Sequence, residues 1–69
     1  MAYGLQPPPP KRARAIREEA GVSQEQIARA LDVHRVTIAR WESGERRPVG
    51  RRAHRYSELL RALEGAMPQ

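Results

Sequence analysis

Apolar residues recur along this chain at helical spacing, in four short blocks separated by turn signals. Ala13, Ile16 and Ala20 fall at i, i+3 and i+7, one face of a helix over residues 11–20. Gly21 follows it as a C′ residue able to take positive φ. Ser23 with Gln26 three positions on makes a capping box. Ile27, Ala28 and Leu31 then give a second helix its apolar face, with Asp32 in the turn and Val33 plugging the core beneath. A third helix is predicted over residues 34–43. In it Ile38 and Trp41, one turn apart, face inward, which leaves Arg35, Val36, Thr37 and Arg40 outside. Ser43 and Gly44 close that helix, and residues 45–48 form a polar connection. The last block, Ala53, Tyr56, Leu60 and Leu63, widened by Leu59, predicts a helix over residues 51–64 that Gly65 and Pro68 end. Nothing in the chain alternates with the period of a strand or repeats.

Ahead of these blocks, residues 1–10 read as a flexible, disordered Pro-rich leader. Four consecutive prolines, Pro7 to Pro10, remove backbone donors and favour an extended polyproline II chain. Pro10 also suits the first turn of a helix, where a missing N–H costs nothing. A peptide ligand for an SH3 module is the weaker reading of these prolines. The organisation is therefore a leader over 1–10, one folded unit over 11–64 and a short tail over 65–69. With 69 residues the chain is one domain at most, and its core is small. The absence of cysteine removes disulfides and thiolate metal sites and is compatible with a reducing compartment. No apolar run approaches the ~20 residues of a membrane span, and the first residues lack the apolar segment of a secretory signal.

Charge narrows the function. The net charge is +5, and all but one of the 13 basic residues are arginine. Between residues 33 and 52 six arginines face two glutamates, whereas residues 53–69 are balanced. The excess thus lies on the third helix and the connection after it, with a smaller patch on the first helix. A polyanion would contact that surface; a solubilising arginine-rich face is the plain alternative. His34 and His54 lack the acidic or cysteine neighbours of a metal site, so no cofactor and no metal is expected. Trp41 and Tyr56, at helical spacing with Ile38 and Leu60, read as core and not as base-stacking platforms. Glu18 and Glu19 read as an exposed face. No nucleophile–base pairing and no phosphate-cradling glycine loop is present, so the chain is not expected to be an enzyme, and no small-molecule ligand is evident.

Ile16-Arg17, Gly21, Ser23-Gln24, Ala28, Leu31, Ile38, Trp41-Glu42, Gly44 and Pro48 stand at a spacing that resembles the phage-repressor (Cro and lambda-repressor-like) helix-turn-helix family. The resemblance covers roughly residues 13–63. It implies an all-α, compact four-helix domain of lambda-repressor-like type that places its third helix in the major groove of double-stranded DNA. It also implies a pair between Arg17 and Glu42 that ties the first helix to the end of the third. Ala28 falls where the second and third helices cross, and a larger side chain there would force them apart. Two positions depart from the family. The turn residue, usually glycine, is Asp32, which tolerates left-handed geometry better than most residues. The third helix's cap, usually Ser or Thr, is His34, whose ring caps less well and can instead reach a phosphate or a base edge.

On that frame the candidate base-reading residues are His34, Arg35, Val36, Thr37 and Arg40. Arg35 can grip guanine O6 and N7 with two hydrogen bonds, worth about 1–3 kcal/mol of discrimination. Val36 can pack on a thymine methyl or exclude water. Thr37 suits a phosphate or a thymine methyl, and Arg40 a second guanine or the backbone. Candidate phosphate contacts are Gln24, at the start of the second helix, then Arg46, Arg47, Arg51 and Arg52, with Lys11, Arg12 and Arg14 beside the leader. A regulator of bacterial or phage transcription, a repressor occupying an operator, is the leading expectation. It would act in the cytoplasm of a bacterial host, on the nucleoid. An antitoxin that binds its operator and a toxin, and a recombination-directionality or architectural factor, are the alternatives. One module covers little DNA, about 600–1,000 Å², so a weak or DNA-induced homodimer on a palindromic operator is expected.

Overall fold

A computed structural model describes residues 6–66 as four helices: α1 (Pro10–Glu19), α2 (Gln24–Leu31), α3 (Arg35–Ser43) and α4 (Gly50–Ala66). No strand occurs among the described residues. Helix α2 packs on α3, α1 bridges α3 and α4, and α2 also touches α4. The core lies where the four meet. Ala13 and Ile16 come from α1, Ile27, Ala28 and Leu31 from α2, Ile38 and Trp41 from α3, and Tyr56 and Leu60 from α4. Ile38 is fully enclosed, at 0 % exposure. The Trp41 and Tyr56 rings meet at 4.8 Å, tilted by 48°, an aromatic pair worth about 0.5–1.5 kcal/mol beyond its area. Val33, Leu59 and Leu63 pack against this cluster half-buried. Ala20 and Ala53, also expected on apolar faces, are half-buried as well.

Local chemistry explains the joints. Ser23 Oγ accepts from the Gln26 N–H at 3.0 Å while Gln26 Oε1 accepts from the Ser23 N–H at 2.8 Å, so both halves of the capping box are made. Asp32 ends α2 in the left-handed region, at φ 58°, and the Val33 N–H returns to the Ala28 carbonyl at 2.9 Å. Gly44 ends α3 at φ 82°, where a side chain would be strained by about 1–2 kcal/mol.

Several boundaries differ from the sequence expectation. Pro10 belongs to α1 and not to the leader, because a proline in the first turn forfeits no hydrogen bond. Helix α3 opens at Arg35, with His34 extended at the N-cap position and making no side-chain cap hydrogen bond. Helix α4 starts one residue early, at Gly50, and runs through Gly65 to Ala66. A glycine in the last exposed turn lowers helix stability by only about 1 kcal/mol, so Gly65 does not stop it. Pro68, and the leader and tail residues 1–5 and 67–69, lie outside the described residues.

Candidate nucleic-acid interface

Since Ile38 and Trp41 are drawn into the core, the rest of the first turns of α3 is forced outward. His34, Arg35, Val36 and Arg40 are exposed and Thr37 is half-buried. Val36 is 44 % exposed, an apolar side chain left in water at the start of a helix.

Beneath this surface runs a chain of hydrogen bonds that begins in the core. Arg17 Nε donates to Glu42 Oε2 at 2.6 Å and its Nη2 to Glu42 Oε1 at 3.0 Å. Its third donor, Nη1, reaches the Val22 carbonyl at 2.8 Å. The bond to the Glu42 carboxylate, opposed by burial, raises the Arg17 pKa above its ordinary value. Glu42 Oε1 also accepts from Gln24 Nε2 at 3.0 Å. Gln24 Oε1 in turn accepts from Arg35 Nη1 at 3.3 Å. A carboxylate can only accept, so it fixes which end of the Gln24 amide faces inward. The amide oxygen is thereby turned toward Arg35. Tyr56 lies near the same pair. Its hydroxyl is buried without a hydrogen-bond partner among the described residues. Burial first, and then the nearby Glu42 charge, push its pKa up to about 12, with Arg17 opposing.

The cations divide into two groups. Arg12 is ion-paired with Glu64 of α4, and Arg14 Nε donates to Glu18 Oε2 at 3.0 Å. Arg46, Arg47, Arg51 and Arg52 are exposed, and none has a carboxylate partner among the described residues. Arg40 Nε comes within 3.8 Å of Glu45 Oε2. Its carbonyl accepts the Arg46 N–H at 3.2 Å, which fixes the start of the α3–α4 connection to the end of α3. Lys11 is exposed on α1. The structure therefore joins Arg35, Gln24, Glu42 and Arg17 in one network. It engages Arg12 and Arg14 with acids of α1 and α4 and leaves the cations of residues 46–52 unpaired.

Sequence reasoning assigns Gln24 to a phosphate, but its half-buried amide is engaged at both ends, with one N–H left over. This link has no signal in the sequence, because Gln24 and Glu42 are 18 positions apart.

Two short packed helices joined by a tight turn at Asp32, the second with its first turns outward, define the class: a helix-turn-helix fold. The family model described as helix-turn-helix matches residues 14–63, most of the chain, and the chain belongs to that family, whose fold is a DNA-binding one. The match does not single out the phage repressors within it. No curated protein and no solved structure matches the chain. No helix among the described residues is long and apolar enough to cross a membrane.

Proposed function

We propose that this chain is a sequence-specific regulator of transcription, a bacterial or phage repressor that seats the start of α3 in the major groove of its operator. The observation that carries the reading is the anchored Arg35. Its guanidinium is tethered through Gln24 and Glu42 to Arg17 in the core, yet the side chain remains exposed. A tethered guanidinium loses less rotamer freedom when it makes two hydrogen bonds to a guanine. Val36 and Thr37 beside it supply the apolar contact that a thymine methyl prefers. Arg40 reads a second base or grips the backbone. Arg46, Arg47, Arg51 and Arg52 contact phosphates, which positions the domain without reading sequence. Two copies on a palindrome, meeting weakly or only on DNA, give the total contact that a single small module lacks. Selection of bound duplexes from a random pool, followed by titration of the winner and a scrambled control, tests this function. An inverted repeat bound far more tightly than the control is the expected result, and equal affinity for both rejects it.

A further inference from the structure

The end of α3 folds the chain back on itself. Gly44, at φ 82°, turns it out of the helix. Ser43 Oγ donates to the Arg40 carbonyl at 3.1 Å and accepts the Glu45 N–H at 3.3 Å. The Arg46 N–H then reaches the same Arg40 carbonyl at 3.2 Å. Glu45 is thus held between two bonded backbone donors, its own N–H and the next. Its carboxylate Oε2 stands 3.8 Å from Arg40 Nε, an ion pair and not a hydrogen bond.

Among the described residues, Arg40 alone of the six arginines between 35 and 52 faces a carboxylate. Arg35 is held instead by the neutral amide oxygen of Gln24 and keeps its full charge. The difference bears on what each can bind. Both members of the Arg40–Glu45 pair are largely in water, with 49 % and 66 % of their side chains exposed, so the pair adds little to folding. Against DNA it acts otherwise. A phosphate brought to Arg40 would meet the Glu45 carboxylate as a like charge and find a cation already offset. Guanine O6 and N7 are uncharged acceptors, and with Nε facing Glu45 the Nη1 and Nη2 ends of the guanidinium remain to grip them. A carboxylate so placed discriminates by repelling the wrong contact.

We propose that Glu45 is a specificity-determining positioning residue, which commits Arg40 to a base edge and withholds it from the phosphates. The inference rests on the DNA-binding function proposed above. Without the carboxylate Arg40 is a free cation like Arg46 and Arg47, and any phosphate within reach takes it. Binding to all sequences then gains, and the margin of the operator over them shrinks.

Glu45→Gln in the full chain keeps the size of the side chain and deletes its charge. Titrations against salt use the operator selected from the random pool and a random-sequence duplex. On the random-sequence duplex affinity rises about threefold, and the slope of log K against log salt steepens by about 0.9, one further phosphate. On the operator affinity barely changes, so the ratio between the two duplexes falls by about the same factor. Arg40→Gln alone weakens binding to the operator and leaves the slope on the random-sequence duplex as it was. In that background Glu45→Gln alters neither slope nor ratio. A lowered urea midpoint with both duplexes weakened alike would mark a merely structural role and overturn the proposal. An unaltered slope or ratio for Glu45→Gln, or the same change without Arg40, overturns the role of Glu45 alone. A wild-type chain that ignores duplex overturns the function on which that role depends.

Discussion

Glu42, with only 4 % of its side chain exposed, accepts two hydrogen bonds from Arg17 across 25 positions of sequence. A buried carboxylate left without its cation is far more costly than the pair is favourable. Arg17→Met is therefore expected to destabilise the domain by about 3–5 kcal/mol, most of the stability of a chain this short. Arg17→Met combined with Glu42→Leu removes both charges and should recover a large part of that loss. Urea unfolding of the three proteins decides the point, and a double variant worse than Arg17→Met alone would contradict it.

The Tyr56 hydroxyl predicts how stability falls in base. Its folded pKa is pushed up to about 12, above the ordinary ~10 of an unfolded tyrosine. The neutral form is thus favoured in the fold. Its contribution is complete below pH ~10 and is lost as pH rises through about 12. Over that window the chain should lose roughly 2–3 kcal/mol. Tyr56→Phe should flatten this part of the profile. At neutral pH it should be no less stable than the wild type, because the hydroxyl it deletes has no partner among the described residues. Thermal melts between pH 7 and 12 test both statements.

Arg35 and Arg47 are expected to fail differently. Arg35→Ala should cost about 1–3 kcal/mol on the selected operator and little on a scrambled duplex, so preference relaxes. Arg47→Ala should weaken both duplexes alike and make the salt dependence shallower by about 0.9. If about five phosphates are neutralised, the wild-type slope is near −4.5. Parallel titrations distinguish the two. Equal losses on both duplexes for Arg35→Ala would remove Arg35 from base reading.

Gln24 should matter through Arg35. Gln24→Ala leaves the capping box intact, since that box uses Ser23 and Gln26, but frees the Arg35 guanidinium. Discrimination should drop toward that of Arg35→Ala, and the double variant should be little worse than either. A double-mutant cycle on operator binding measures this coupling. Strict additivity would show that Gln24 acts on DNA by itself.

Much of this architecture is legible in the order of residues alone, for reasons that differ by element. The 3.6-residue spacing of Ile27, Ala28 and Leu31, and of Ile38 and Trp41, places α2 and α3 because a face must be buried. Ser23 and Gln26 set the start of α2 because their bonds are local. Asp32 takes the left-handed turn in which glycine is usual. Gly65 misleads because a stop signal is weak where the flanking turns already hold the helix. The link from Glu42 through Gln24 to Arg35 is hidden in the sequence. It depends on how α1, α2 and α3 meet, and spacing along the chain does not carry that.

The uneven pairing of the arginines has an effect that begins before contact. Arg12 and Arg14 are already matched by Glu64 and Glu18, whereas Arg46, Arg47, Arg51 and Arg52 crowd into seven positions with no acid among the described residues taking up their charge. A polyanion's field would pull harder on that end and rotate the molecule as it diffuses inward. Encounters would then be sorted by orientation while the partners were still about a Debye length, ~10 Å at 0.1 M salt, apart. Added salt would scramble that alignment and slow productive collisions before it loosened any finished complex.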